Sequence, residues 1–407
     1  MLKAADALDL AGYDVRVVSS LSAGWATQAD DDARRRRTWR WAAVDSRRHA
    51  APRTYFISGL RFHGARRLAR LFGTGRLPLS LAARGYARLH DELVAAIVSE
   101  PCDLIYAGQT GALAAAAVAG RRMGVPYALD LEDFHSAEAA DEPANRLAMD
   151  LAARIEREIL PGAEFLTAGS AAIANAYEGT YGRRPIPINN AFPLPPRAPD
   201  IRVSPGAGLK LYWFSQTIGT GRGLEDVVRA MGLARLPGEL HLRGSSNAAY
   251  ADALRQLARA EAPRLELVIH APGPPDSMVD ACRDYDLGLA LEQDRVFNRT
   301  ICLTNKAFTY MLAGLALVFT DTPGQRPLID DLGAHALVYR PGDIATLAAG
   351  LKSWADDPPR LLQAKQAAWA AAERRWHWEH PQERGALLDA VASALTRAEP
   401  SPQGDAR

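Results

Sequence analysis

A strand, a glycine-containing turn and a helix follow one another at residues 209–231, and this stretch has the clearest chemical potential in the chain. Within residues 209–214 (LKLYWF), Leu209, Leu211, Trp213 and Phe214 are large and apolar, and the polar segment 215–223 (SQTIGTGRG) leads into a predicted helix. Such a turn brings bare backbone N–H groups close to a ligand, and a helix N-terminus adds partial positive charge. Arg222 supplies a full charge where turn and helix meet. The pattern predicts a phosphate site; an ordinary strand–turn–helix connection is the alternative, because glycine spacing alone is weak evidence.

A second candidate is the segment 298–314 (NRTICLTNKAFTYMLAG), where Asn305 and Lys306 open a predicted helix. A lysine in the first turn opposes the helix dipole. A bound anion would resolve this local conflict, whereas a lysine that points into water would need no ligand. Polar groups also follow other predicted strands of the same half: Arg243-Gly244-Ser245, the segment 270–273 (HAPG) and Glu292.

In the first half, the sequence LDLEDFH at residues 129–135 ends a predicted strand with two carboxylates and an imidazole. Glu132 and Asp133 are candidates to orient or deprotonate an acceptor hydroxyl. The alternative is that these acids cap the next helix and add surface charge.

Two other patterns resemble metal sites only formally. Asp284-Tyr285-Asp286 precedes a predicted strand instead of ending one, and His377 and His380 have helical spacing without a third ligand nearby. No GxSxG, HExxH or P-loop sequence occurs. We therefore expect no metal and no cofactor.

The composition is that of a globular protein, with 407 residues, 48% hydrophobic and 23% charged residues, and a net charge of +1. This near-neutral balance gives no reason to expect a nucleic-acid partner. The three cysteines are far apart in sequence, which fits a reducing cytoplasm. No apolar run approaches the roughly 20 residues needed to span a bilayer.

Strands alternate with helices through both halves, which predicts an α/β fold with two doubly wound, Rossmann-like parallel sheets. Five prolines at 192–208 mark a linker. The predicted domains are a first Rossmann-like domain (1–195), a linker (196–208), a second Rossmann-like domain (209–357), helices that pack back on the first domain (358–395) and a disordered tail (396–407). Ligands of such sheets bind at the carboxyl ends of strands, so a cleft between the domains is expected to hold the site.

The segments SQTIGTGRGLE and LTNKAFTYMLAGLALVFTDTPGQ together resemble the donor domain of bacterial glycosyltransferases with the GT-B fold, in the broad family four. INNAFP before the linker is also similar to that family. The resemblance extends from the first helix to about residue 380.

The resemblance implies that Arg222 and Lys306 neutralise a leaving nucleoside diphosphate. This sequence departs from the family at one pair of positions. Many members carry two glutamates there, whereas this chain has Ile301 and Thr309. The resemblance therefore does not imply a ribose contact or a nucleotide preference. The expected donor-binding residues are Ser215, Gln216, Gly219, Gly221, Gly244, Gly273, Glu292, Asn298, Thr304, Asn305 and Thr309.

The function expected from the resemblance is transfer of a sugar from a nucleotide-sugar to an acceptor, without a metal and with retention of configuration. Cell-surface polysaccharide or glycolipid synthesis is the expected setting. A catalytically inert GT-B partner or binding subunit is the alternative, favoured by the missing glutamate pair. A nucleotide-sugar epimerase on the same fold is a third possibility, against which the Asn305-Lys306 segment argues.

Residues 34–72 combine many arginines with tryptophan, phenylalanine and leucine, and after Asp32 they contain one acid, Asp45. This predicts a surface for an anionic membrane or acceptor, with peripheral attachment at the cytoplasmic face. A solvated pair of arginine-rich helices packed on a sheet is the alternative.

The chain opens with a predicted helix (2–11) that leads into a predicted strand (13–19). Because doubly wound sheets are built from strand–helix units, the pattern predicts that a first strand and its glycine-rich turn are missing. We expect a start site further upstream; a truly shortened, unstable or inert protein is the alternative.

Overall fold

The computed structural model describes residues 1–21, 31, 34–204, 208–274 and 277–398. They form two compact units. The first combines residues 1–188 with the chain from Pro381 onward, and the second is Asn189–His380. Residues 399–407, most of the predicted tail, lie outside the described ranges, as do 205–207 of the predicted linker.

The helices and strands alternate as expected for an α/β protein. The strands are β1 (Arg16–Leu21), β2 (Arg40–Asp45), β3 (Ile105–Gly108), β4 (Tyr127–Leu131), β5 (Leu166–Ala168), β6 (Ile186–Pro187), β7 (Leu209–Ile218), β8 (Gly238–Ser246), β9 (Leu265–His270), β10 (Leu287–Ala290), β11 (Ala316–Thr320) and β12 (Leu337–Tyr339). The helices are α1 (Leu2–Leu10), α2 (Pro52–Phe72), α3 (Leu79–Tyr86), α4 (His90–Val98), α5 (Thr110–Met123), α6 (Pro143–Ile159), α7 (Ala171–Tyr181), α8 (Leu224–Leu233), α9 (Ala248–Glu261), α10 (Phe297–Ile301), α11 (Asn305–Leu312), α12 (Arg326–Leu332), α13 (Ile344–Asp356), α14 (Pro358–Arg374) and α15 (Ala386–Ala398).

The strands of the first unit form two parallel sheets. β1 pairs with β2, and β3, β4, β5 and β6 form a four-stranded sheet in that order. Helix α4 contacts β1 and β2 and also packs on α5, which lies against β3 and β4. The apolar runs of β4 and β5 are buried on both faces, as parallel strands covered by helices require.

In the arginine-rich stretch, the alternative of a helix pair is wrong for residues 40–45 (RWAAVD), which form strand β2. Exposed and half-buried residues do not alternate along this strand, so its sequence lacks the period-two signal of a strand. Part of this charge is neutralised locally: Arg37 donates to Asp6 at 2.8 Å, and Arg47 donates to Asp45 at 2.6 Å. Residues 87–89 separate helix α3 from helix α4.

The second unit contains one six-stranded parallel sheet in the order β12-β11-β10-β7-β8-β9. One face of the sheet buries Leu211 and Trp213 of β7 against α8 and α13. The other face buries Tyr212 together with Phe308 and Tyr310 of α11. Helix α11 is thereby fixed at the centre of the sheet, next to β10.

The connection between the two predicted domains belongs to the second unit where the structure describes it. Val203 packs against its core, and the Ser204 N–H donates to buried Asp286 at 2.8 Å. Helix α14 also lies with the second unit, on α11 and β11, whereas α15 belongs to the first. The stretch 358–395, expected to pack back on the first domain as a whole, is therefore divided.

Within the described ranges, no helix is both long and apolar enough to cross a bilayer.

Candidate active site

The glycine turn that follows β7 lies against the residues that follow β10, and these two strands are the central ones of the second sheet. Gly223 has φ +73°, and a side chain there would come within 2.6 Å of Gln293 Nε2 and 3.0 Å of Leu291 Cβ. Gly221 also has positive φ, at +70°. Glycine at 223 thus lets the turn lie against the residues that flank Glu292, where a side chain could not fit.

Glu292 is a buried carboxylate that holds two cations. Its Oε1 accepts from Lys306 Nζ at 2.8 Å, and its Oε2 accepts from Arg299 Nη1 at 3.0 Å. Lys306 Nζ also donates to Thr304 Oγ1 at 3.1 Å, and its ammonium lies 5.8 Å from the ring centre of Trp213. Contacts with Glu292, Thr304 and Trp213 therefore fix the position of the Lys306 ammonium.

The charges of this cluster act on one another. Burial alone would raise the pKa of Glu292, but the ammonium of Lys306 and then the guanidinium of Arg299 outweigh burial and bring that pKa to about 2. Burial lowers the pKa of Arg222, Arg299 lowers it further, and Glu292 opposes both. Arg222 thus shares the local field of Glu292 and Arg299.

Three cations, Arg222, Arg299 and Lys306, surround the single carboxylate of Glu292, so the cluster carries an excess of positive charge. Such an arrangement can bind a polyanion such as a diphosphate. The sequence had indicated Arg222, Lys306 and Glu292 but missed Arg299. Its position seven residues after Glu292 in the segment NRT, one helix before the Asn305-Lys306 segment, was the available indication.

The remaining residues of the segment 298–309 are mostly packed. Asn298 is 5% exposed and Thr304, the residue that precedes α11, is 7% exposed. Asn305 is half-buried at the start of α11. Thr309 is fully buried, and its hydroxyl donates to the Asn305 carbonyl at 3.2 Å, so it takes part in helix packing.

Ser215 and Gln216 lie in β7 and not in the turn, because this strand continues to Ile218 after an irregularity in its pairing with β8. Gln216 is exposed and Ser215 half-buried, while Gly219 and Gly221 follow in the turn itself. Gly244 has a structural reason for lacking a side chain, since a Cβ there would collide with the Ser215 carbonyl oxygen.

A row of titratable groups crosses β8 and β9. The sequence indicated His270, within the segment 270–273, but not its partners Glu239 and His241. Glu239 Oε2 lies 2.7 Å from His241 Nε2, and His241 Nδ1 lies 2.9 Å from His270 Nε2. His270 ends β9, and Gly273 just beyond it lies beside the guanidinium of Arg243. If Glu239 is ionised and both imidazoles are neutral, these bonds place protons on His241 Nε2 and His270 Nε2, which leaves His270 Nδ1 as an acceptor.

In the first unit, Glu132 and Asp133 follow β4 and are half-buried. Glu132 Oε2 accepts from Gln109 Nε2 at 3.3 Å, and the Asp133 carbonyl accepts from the Tyr177 hydroxyl at 3.1 Å. Gln109 follows the neighbouring strand β3 and has φ +73°, an uncommon conformation for a residue other than glycine. Strained backbone of this kind clusters at functional sites, and sequence reasoning missed Gln109.

Behind these carboxylates lies a buried polar network. Glu156 accepts from the hydroxyls of Tyr177 at 2.7 Å and Tyr181 at 2.6 Å. His135 Nδ1 lies 3.3 Å from Glu138. Burial opposes protonation of His135, but the surrounding acids, Glu138 first among them, raise its pKa. The network fixes the loop that carries Glu132 and Asp133.

Asp286 of the Asp-Tyr-Asp sequence has structural partners. It is 1% exposed, accepts from the Lys210 N–H at 3.1 Å and lies 3.4 Å from the ammonium of Lys365, which is 3% exposed. Burial lowers the pKa of Lys365, while Asp286 raises it. Among the described residues, no group of three or more His, Cys, Asp or Glu side chains is placed to hold a metal ion.

Two parallel-sheet units of Rossmann type define the GT-B fold, and solved glycosyltransferases share it. HepE from Anabaena, solved with UDP and glucose, has a TM-score of 0.58 and 20% identity over 94% of this chain and 99% of its own. Sucrose-phosphate synthase from Thermosynechococcus elongatus has a TM-score of 0.66 and 13% identity over 98% and 92%. A glycosyltransferase from Rickettsia africae has a TM-score of 0.57 and 8% identity over 98% and 94%.

Residues 1–189 match the family model of the glycosyl transferase 4-like domain. This first part of the chain is therefore similar to the glycosyl transferase 4-like family. No curated protein matches it in sequence.

Proposed function

We propose that this protein transfers a sugar, of hexose type, from a nucleoside-diphosphate sugar to an acceptor hydroxyl. The observation that carries the proposal is the excess positive charge around Glu292, where Arg222, Arg299 and Lys306 lie at the carboxyl ends of β7 and β10. When the bond between the anomeric carbon and the diphosphate oxygen breaks, the electron pair stays on the diphosphate. Cations held in place before the reaction stabilise that charge.

The acceptor oxygen forms the new bond to the anomeric carbon and loses its proton. Glu132 and Asp133 are the proposed groups for this step, with Glu132 oriented by Gln109. Because side-chain cations neutralise the diphosphate in this scheme, we propose a reaction without a metal. Retention of configuration is proposed from the resemblance to family four, and the anomeric proton couplings of the product would test it.

The proposed setting is the synthesis of a cell-surface polysaccharide or glycolipid on the cytoplasmic side, with the protein bound peripherally to the membrane and a lipid-linked acceptor. The presence of UDP in the structure of HepE makes uridine nucleotides the first donors to test. Guanosine, adenosine and thymidine diphosphates complete the panel, because the sequence leaves the nucleotide open.

Ligand binding is expected to appear first as thermal stabilisation. A diphosphate nucleotide at 100 times its Kd stabilises the folded state by about 2.7 kcal/mol, which corresponds to a rise in Tm of several degrees. Differential scanning fluorimetry with the four nucleoside diphosphates measures it, with the matching monophosphates as controls. Equal shifts for diphosphates and monophosphates would contradict a diphosphate site.

Turnover of radiolabelled nucleotide-sugars of the stabilising nucleotide then tests catalysis. Transfer or slow hydrolysis of the donor supports the enzyme. Tight binding without either reaction would instead support a catalytically inert partner subunit of the same fold.

A further inference from the structure

Helix α2 turns a stripe of large apolar side chains toward solvent. Phe56 is 60% exposed, Leu60 78% and Leu71 68%, and Ile57 and Phe72 are exposed as well. We call these five residues the α2 stripe. At about 100° per residue, Phe56, Ile57, Leu60 and Leu71 lie on one side of the helix, and Phe72 is its last residue. Exposed apolar patches of this kind mark interaction sites.

The opposite side of α2 already has its partners. Ser58, Ala65 and Ala69 are buried, and α2 packs on α3 and α6. Arg61 turns inward, where it donates to Asp91 at 2.5 Å and also pairs with Glu92. The buried side of α2 therefore fixes the helix on α3 and α6, and the stripe is a separate apolar side that faces solvent.

Positive charge lies on the same side of the helix as the stripe. Arg53, Arg67 and Arg70 are exposed on α2, with Arg53 and Arg67 among the apolar residues and Arg70 at their edge, and the helix contains no acidic residue. Arg48, just before the helix, is exposed and holds its guanidinium 5.9 Å from the ring centre of Phe56. A helix side that combines apolar side chains with arginines fits the boundary between lipid headgroups and acyl chains, where arginine reaches the phosphates while its stem stays in the apolar layer.

We propose that the α2 stripe docks on the surface of an anionic phospholipid bilayer, with the helix lying in the membrane plane. Charge complementarity selects this occupant. A second copy of the chain on the same face would bring Arg53, Arg67 and Arg70 of one molecule against those of the other, and like charges disfavour that pairing. The proposed docking on a membrane does not depend on sugar transfer. Only its consequence, access to a lipid-linked acceptor, rests on the proposed function.

The test is co-sedimentation of the full chain with vesicles of phosphatidylcholine alone or with 30–40 mol% phosphatidylglycerol (about one anionic lipid in three), at low and high salt. Each basic residue near such a surface strengthens binding about fivefold. We therefore expect the triple variant Arg53→Ala, Arg67→Ala, Arg70→Ala to lose roughly 100-fold in binding to anionic vesicles. High salt should also weaken the binding of the wild-type protein to anionic vesicles.

The apolar part is tested by Leu60→Glu with Leu71→Glu, which we expect to abolish binding to anionic vesicles. Leu233→Glu is the matched control, because Leu233 is an exposed leucine (61%) on α8, and it should bind like wild type. Circular dichroism checks that each variant keeps its helices.

Three results would overturn the proposal: no binding to either vesicle, equal binding to neutral and anionic vesicles, or a dimer in size-exclusion chromatography that Leu60→Glu with Leu71→Glu converts to monomer. Because vesicle binding is measured without donor or acceptor, its failure is distinct from a failure of sugar transfer.

Discussion

Arg222→Ala and Lys306→Ala are each expected to lower turnover of the nucleotide-sugar on the order of 100-fold or more, since each removes a fixed cation from the charge that develops on the leaving diphosphate. Folding should survive in both variants. Glu292 keeps Arg299 at 3.0 Å when Lys306 is removed, and Arg222 lies in a half-exposed turn. Steady-state kinetics with the donor identified by the panel measure the effect, and calorimetry with the free diphosphate separates binding from the chemical step.

Lys352→Ala is a suitable control for these two variants. Lys352 is an exposed lysine of the same unit that pairs with Asp356 at 2.9 Å. Its removal should leave the kinetics unchanged. If Arg222→Ala and Lys306→Ala both turn over at the wild-type rate, the assignment of the diphosphate site is wrong.

Asp286→Ala is expected to destabilise the second unit by about 3–5 kcal/mol, the usual cost of leaving a buried charge without its partner. The substitution strands the ammonium of Lys365 and removes the acceptor of the Ser204 and Lys210 N–H groups. Adding Lys365→Met should recover part of the loss, because the unpaired charge is then gone. Chemical denaturation of the four members of this double-mutant cycle measures the coupling.

The exposed pair Lys352–Asp356 provides the reference for this cycle, since pairs of that kind contribute about 0.3–0.5 kcal/mol. A loss for Asp286→Ala no larger than for Asp356→Ala would contradict a buried structural pair. Reduced activity of Asp286→Ala with unchanged stability would instead indicate that Asp286 binds a ligand.

The sequence predicted the second sheet well for a physical reason. Buried parallel strands such as β10 and β11 are continuous apolar runs, and they stand out between amphipathic helices. Strand β2 was missed because it is half-exposed and its sequence, RWAAVD, begins inside an arginine-rich stretch. The sequence also did not predict that residues 358–395 are divided between the two units, because tertiary packing determines which core each of these helices joins.

At the candidate site, the sequence indicated single residues but not their pairing. Lys306 was noticed because it opposes its own helix dipole, yet its contact with Glu292 spans 14 residues and depends on how α11 docks beside β10. The contact of Arg299 with Glu292 and the positive φ of Gln109 likewise become visible only in three dimensions. The roles of the other predicted donor residues stay predictions.

The pairing inside the cation cluster also determines how the site responds to acid. The depressed pKa of Glu292, about 2 against 4.5 unperturbed, means that its stabilising contribution is complete above the unperturbed value and disappears only as the pH falls through about 2. Arginine stays protonated throughout the working range of an enzyme. Glu292 is therefore silent to titration between roughly pH 6 and 9, and a bend in the pH–rate profile in that interval has to come from another group.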